Sequence, residues 1–458
     1  MLTADSVLQG TAELLVTRRG PADAAFRRTV TDSREVEPGD LFFALHGAHH
    51  DGHDFAGEAI AGGAAGLVVE RPLDVSDGVT VFQVSDSLSA LQRLAAYWRA
   101  RHDVRVVGVT GSVGKTTCKE IVAAVLGARW RVHKSEFNWN TEIGLPLALL
   151  QLAPEHERAV LEMAMYGPGE IELLCRIAQP QIGVVMNVGP VHMERLGSMG
   201  AIVAAKAELV EALPQGGLAV LNGDDAPVAA MATRTRARVL LFGRSEQCHV
   251  RGSDLTGRGL DGISFRLSYQ DSSVAVETPL PGRHHLYPCL AAAAVGLAEG
   301  MALSEIADAL SQAPPELRLR VLPGPNGSTI LDDSYNASPQ SMLAALDLLS
   351  ELSPGRGGGR RIALLGEMRE LGAAEDEGHR QVGERAADCV DLLLVVGERA
   401  RPLYEAARSA GSAEARFLTL ADETIPILRA ELQPGDHLLV KASRAVALES
   451  VVGALAAP

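Results

Sequence analysis

VRVVGVTGSVGKTT, residues 104–117, takes an apolar run (Val104–Val109) directly into a glycine-punctuated turn and then Lys115, Thr116 and Thr117. Glycines let backbone amides curl around an anion, and a following helix turns its positive end toward the same point. With a helix predicted over Cys118–Leu126, the stretch reads as a nucleotide-triphosphate site. Gly111 and Gly114 shape the loop, Lys115 reaches the β- and γ-phosphates, and Thr116 or Thr117 offers a hydroxyl to magnesium. The spacing is not that of the common phosphate loop: Gly111 stands three residues before Gly114, and Val109 falls where the longer motif has glycine.

Outward from this loop, apolar strands are predicted at Arg105–Val109, Ala159–Glu162, Ile182–Asn187, Leu218–Asn222 and Val239–Phe242. Helical stretches at Gly169–Ile177 and Met199–Leu213 separate them. Strands alternating with helices predict a largely parallel sheet with its functional residues beyond the strand carboxyl ends. Short β pieces over Gly252–Glu277 and helices at His285–Glu299 and Leu303–Ala313 follow, and Pro314–Pro315 closes the unit. Beyond it, strands at Thr329–Asp332, Arg361–Leu365, Leu392–Val396, Ala415–Leu418 and His437–Val440 alternate with helices as a second Rossmann-like unit. The GRGGGRR run at 355–361 reads as a loop. Before it all, residues 14–101 mix short strands, helices and a polar loop, TDSREVEPGDLFFALHGAHHDGHDF. The expectation is an α/β protein of three domains, bounded at 1–103, 104–314 and 315–458, with a central parallel-sheet P-loop ATPase-like domain and a Rossmann-like C-terminal domain.

Length agrees, since 458 residues exceed one ordinary core. A net charge of −15 argues against wrapping nucleic acid or lying on an anionic membrane, while leaving room for anionic small molecules at a local patch. Five scattered cysteines without metal spacing suit a reducing compartment. No run reaches transmembrane length without charge, and the expectation is a soluble, cytoplasmic protein.

Several side chains carry chemistry. Glu162 ends a strand among apolar neighbours, where a carboxylate is costly unless paired or metal-bound. His192 follows another strand, as a metal ligand or a loop hydrogen-bonder. Lys206 sits in an alanine-rich helix, where snorkelling to solvent is the default reading. Asn222, Asp224 and Asp225 end a strand, and Asp332 and Asp333 end another; either set suits a sugar, a metal or a turn.

Together these pieces resemble the Mur ligase family, and within it the branch that adds a dipeptide. The matching segments are TGSVGKTT (110–117), NWNTEIGLP (138–146), EMAMYGPGEIELL (162–174), NVGPVHMERLGS (187–198), AKAEL (205–209), NGDD (222–225), DDSYNASPQSM (332–342), LLGEMRELG (364–372) and KASR (441–444), spanning essentially the whole chain. The resemblance implies a ligase using ATP and magnesium to join D-alanyl-D-alanine to UDP-N-acetylmuramoyl-tripeptide through an acyl phosphate. Peptidoglycan precursor synthesis, and with it cell shape and division, would be served by a monomer. Carried over residue by residue, it implies ATP or magnesium roles for Lys115, Thr116, Thr117, Glu162 and His192. Lys206 becomes the carbamylated lysine, Asn138 a neighbour of the phosphates, and Arg318 and Asp333 ATP contacts. Ser33, Arg34 and the Gly47–His53 loop become the UDP-precursor region. Asn336, Lys441 and Arg444 are assigned to substrate. Three departures stand out: GRHHLYPC (282–289) has His285 and Pro288 where the family's adenine-side motif has asparagines, and Ala442 replaces a customary glycine. A non-catalytic nucleotide binder and a folate-type polyglutamyl ligase are the competing expectations.

Overall fold

The structure is a computed structural model describing residues 1–456 apart from 48–49, 74, 76–77, 137, 192, 315–318, 353–358 and 413. His192, Arg318, part of the Gly47–His53 loop, 355–358 of the predicted glycine–arginine loop and Pro315 therefore lie outside the described residues.

The β-branched run after Val104 becomes the strand Arg105–Thr110, and its position in the sheet explains its composition. It lies third from one edge of a nine-stranded sheet, between Ile182–Val185 and Arg158–Glu162, in parallel register with both. Buried on both faces, such a strand has no polar alternation. The order continues through Leu218–Asn222, Arg238–Gly243 and Val250–Gly257 on one side and ends at Val132–Lys134 on the other. Where short β pieces are predicted over Gly252–Glu277, the structure has long antiparallel strands instead, Val250–Gly257, Ile263–Tyr269 and Ser272–Thr278. Their half-exposed faces carry polar residues, which break up the apolar signal.

The C-terminal sheet has six strands in the order Arg320–Pro323, Thr329–Asp332, His437–Lys441, Arg361–Gly366, Leu392–Val396 and Ala415–Leu418. Only the first pairing is antiparallel. A five-stranded N-terminal sheet runs Leu15–Arg19, Thr80–Val84, Gly66–Val69, Leu41–Phe43, Thr29–Val30, parallel but for the pairing of its first two strands.

The N-terminal unit does not keep a wholly separate core. Leu91, Leu94 and Trp98 of the helix Ser87–Ala100 belong to one apolar cluster with Leu145, Leu149, Leu174 and Leu209 of the central unit. Trp98 Nε1 donates to the Leu152 carbonyl at 3.0 Å and Arg99 Nε to the Ala178 carbonyl at 2.9 Å. The two units are thus fastened together. The C-terminal sheet has its own apolar clusters on its two faces and meets the central unit mainly at loops.

Candidate active site

The loop after Arg105–Thr110 is shaped by backbone requirements. Gly114 has φ +80° and caps the helix Lys115–Gly127, and a Cβ on Gly111 would come within 2.9 Å of Met186 Cβ. Asn187 fixes the loop from outside: its Oδ1 accepts from Val113 N at 2.8 Å while its Nδ2 donates to Val113 O at 2.9 Å. Ser112 adds a second clamp, its Oγ accepting from Gly189 N at 2.8 Å. Lys115 folds onto this loop, donating to the carbonyls of Gly111 and Ser112 at 3.0 and 3.2 Å. Thr117 is buried in the same helix.

Glu162 reaches this loop from the carboxyl end of the adjacent strand. It is 2% exposed, and both carboxylate oxygens are engaged, Oε2 by the Thr116 hydroxyl and Oε1 by Asn140 Nδ2, each at 2.7 Å. Asn138, the residue of this segment singled out from sequence, is exposed; the side chain of that segment that meets Glu162 is Asn140, two residues on. Its place in NWN offered the signal, but sequence could not say which asparagine turned inward. Lys119, one turn after Lys115 and 1% exposed, donates to the Ser135 carbonyl at 2.5 Å, and Ser135 Oγ accepts from Glu162 N at 3.1 Å. Asn187, Ser135 and Lys119 were not found from sequence; only the polar type of Asn187 after a strand hinted at a role.

Lys206 overturns the snorkelling expectation. Its helix, Met199–Glu211, packs against the sheet, leaving the residue 2% exposed, and among the described residues no hydrogen bond or ion pair holds its ammonium. Burial, reinforced by the nearby Lys115 charge, pushes its pKa well below the ordinary lysine value.

At the carboxyl edge of the C-terminal sheet, Lys441 is buried and donates to Asp333 Oδ2 at 2.6 Å and to the Asn336 carbonyl at 2.9 Å. Asp332, the other acid of that pair, binds Arg320 and caps its own turn through Ser334. Arg444 lies over the Tyr335 ring. The two sheets approach here, Met193 N donating to the Glu370 carbonyl at 3.1 Å. His285 is buried; its Nδ1 meets the Pro281 carbonyl at 2.7 Å, and burial lowers its pKa, so the neutral ring donates there and leaves Nε2 as an acceptor. Asp224 receives the backbone of Arg244 and Ser245 and the Tyr287 hydroxyl, while Asp225 caps a helix.

The N-terminal candidates are largely engaged with their own chain. Arg34 pairs with Asp32 at 2.5 Å, which caps the same turn, and Ser33 donates to Glu58 at 2.9 Å. Gly47 N donates to the His50 carbonyl at 2.9 Å. His46, Asp51 and His53 cluster as a metal set would. Yet His53 Nε2 accepts from Glu70 N at 2.8 Å, which keeps the proton on Nδ1, 2.6 Å from Asp51. A metal there would require an imidazolate, so His53 serves the turn.

Such a glycine loop, with a buried carboxylate and lysine beneath it and a second Rossmann-like sheet facing it, is the layout of nucleotide-dependent three-domain enzymes. The chain belongs to the Mur ligase family. It matches that family's catalytic-domain model over 28–99, the Mur ligase middle domain over 109–296 and the glutamate ligase domain over 317–444. It is 39% identical to the UDP-N-acetylmuramoyl-tripeptide–D-alanyl-D-alanine ligase of a Synechocystis strain, covering 95% of this chain and 93% of that one. Among solved structures it resembles MurF of Acinetobacter baumannii, with a TM-score of 0.86 at 28% identity over 98% of each chain. The MurF ligase of Thermotoga maritima in complex with ADP superposes with a TM-score of 0.80 at 32% identity, covering 93% of this chain and 96% of that one.

Proposed function

We propose that this chain is an ATP-dependent ligase that joins D-alanyl-D-alanine to UDP-N-acetylmuramoyl-tripeptide in peptidoglycan precursor synthesis, acting as a cytoplasmic monomer. The observation that carries the reading is the pairing of full-length likeness to such ligases with a buried Glu162 and a buried Lys206 that has no carboxylate partner among the described residues.

A carboxylate and an amine do not condense unaided in water, so the carboxylate first needs a leaving group. The terminal carboxylate of the tripeptide attacks the ATP γ-phosphorus and displaces ADP, giving the acyl phosphate; Lys115 leaves its loop carbonyls to neutralise charge on the moving phosphoryl group. The dipeptide amine then attacks the acyl phosphate, and the tetrahedral intermediate expels phosphate. Approach of the C-terminal unit excludes water, since hydrolysis of the acyl phosphate is the competing loss. Its Lys441–Asp333 pair lies on the approaching edge, with Asn336 beside it. Ser33, Arg34 and the Gly47 turn face the UDP end of the precursor in this reading.

The hydroxyl of Thr116 beside the Glu162 carboxylate is a hard-oxygen set that fits magnesium. Magnesium held there would supply charge neutralisation at the phosphates, and the family resemblance adds His192 as a further ligand. Lys206 fits the same scheme when carbamylated: its neutral amine attacks carbon dioxide and loses a proton, and a cation repelled by Lys115 becomes an anion attracted to it. His285 Nε2, an acceptor, suits the exocyclic amine of adenine, whereas Pro288 has no donor to offer.

The test is ADP release and mass-spectrometric detection of coupled product from a panel of substrates. Turnover is expected to require both the UDP-tripeptide and D-alanyl-D-alanine. Stimulation by a single amino acid such as diaminopimelate or lysine would overturn the assignment.

A further inference from the structure

Two tyrosines stand exposed at the edges where the central and C-terminal sheets meet, each beneath an arginine. Tyr166 follows the strand Arg158–Glu162 by four residues, and the Arg195 guanidinium lies 4.9 Å from its ring centroid. Tyr335 follows the strand Thr329–Asp332, and the Arg444 guanidinium lies 5.3 Å from its ring centroid, with Nη1 3.4 Å from the Tyr335 hydroxyl. The rings remain 40% and 42% exposed. Both pairs therefore sit at strand carboxyl ends, the edge at which open α/β sheets take ligands.

The arginines differ from their neighbours in charge balance. Arg320 is paired with Asp332 and Arg369 with Glu367, whereas among the described residues neither Arg195 nor Arg444 has a carboxylate partner. A guanidinium stacked on an aromatic face keeps its fork free for a carboxylate and loses little freedom on binding one. The pairs belong to one seam. Met193, two residues before Arg195, donates its N–H to the carbonyl of Glu370, in the loop after the strand Arg361–Gly366. The Tyr166 hydroxyl feels both pairs at once: burial and then Glu370 raise its pKa, Arg195 lowers it, and Tyr335 raises it again.

The incoming dipeptide of the proposed reaction presents a carboxylate at the end opposite its reacting amine, and two methyl groups. We propose that Tyr166–Arg195 and Tyr335–Arg444 form its subsite, the guanidiniums taking the carboxylate and the rings the methyl groups. This rests on the ligase reading above, and it assigns roles to Tyr166, Arg195 and Tyr335 that the family resemblance did not reach.

The experiment compares D-alanyl-D-alanine with its C-terminal amide as amine substrates for the wild type, Arg195→Met, Arg444→Met and the conservative Arg195→Lys, following ADP release and product mass. The wild type is expected to favour the free acid by at least about tenfold in kcat/KM, as a charge-assisted contact requires. Each methionine variant is expected to raise KM for the free acid about tenfold, leave the amide unaffected and keep KM for ATP, with Arg195→Lys restoring part of the preference. Variants that keep the wild-type preference, or a wild type that uses acid and amide equally, would overturn the subsite while leaving the ligase reading intact. A wild type that couples no dipeptide defeats the ligase reading and the subsite with it.

Discussion

The central and N-terminal units both carry motif residues, but they treat them differently. Around the phosphate loop, Lys206 lies buried with no carboxylate partner among the described residues and Lys115 donates to the loop carbonyls of Gly111 and Ser112, an arrangement that a multiply charged ligand would complete. In the N-terminal unit Arg34, Ser33 and His53 are already satisfied by Asp32, Glu58, Asp51 and the Glu70 backbone. An electrostatic deficit inside a fold marks a ligand site more sharply than motif membership does, because folding tolerates such a deficit only where something else removes it.

The largest test of this contrast is Lys206→Met. It is expected to lower ADP release at least about 100-fold, the scale of a lost transition-state contact, while precursor binding persists by calorimetry. Stability should move the other way. The folded pKa of Lys206 lies below its unfolded value, so at neutral pH the unfolded chain binds the extra proton; in carbonate-free buffer wild-type stability then rises as pH climbs toward the ordinary lysine range. The methionine variant should lose that slope, and denaturant titrations at several pH values would show it; an unchanged slope would break the contrast. Asn140→Ala frees one oxygen of Glu162 and should raise the magnesium requirement about tenfold, the usual effect of removing a ligand's supporting partner. Asn138→Ala should leave that requirement unchanged.

In the N-terminal unit the effects should fall on folding instead. His53→Ala strands the Glu70 N–H and removes the imidazole bond to Asp51, whose carboxylate keeps the backbone N–H of residue 53, and is expected to cost about 2 kcal/mol in urea unfolding, with precursor KM kept within about threefold. A large KM rise without loss of stability would show that His53 meets ligand after all. Smallest is Arg34→Met: its exposed pair with Asp32 leaves Tm unmoved, and precursor KM rises only a few-fold.

Sequence made the α/β class legible because strands buried on both faces, such as Arg105–Thr110 and Leu392–Val396, have no polar alternation to obscure them. It failed where exposure dilutes the pattern. The edge strand Leu15–Arg19 has no fully buried residue, and in the antiparallel extension after Val250 the β character was legible while the length of the strands was not. Glu162 was readable from its place at a strand end. Lys206 was not, since an alanine-rich helix looks the same whether its lysine faces water or the sheet it packs on, and the family resemblance alone marked it. The choice between Asn138 and Asn140 depended on a turn that neither propensity nor spacing specifies.

The two-way bond between the Asn187 amide and Val113 has a thermodynamic consequence. A loop already wearing its bound shape forfeits little disorder when nucleotide arrives, so the entropic penalty of holding it falls on folding. Removing that amide would therefore weaken nucleotide affinity through an unfavourable entropy of association, visible calorimetrically even though Asn187 need touch no phosphate.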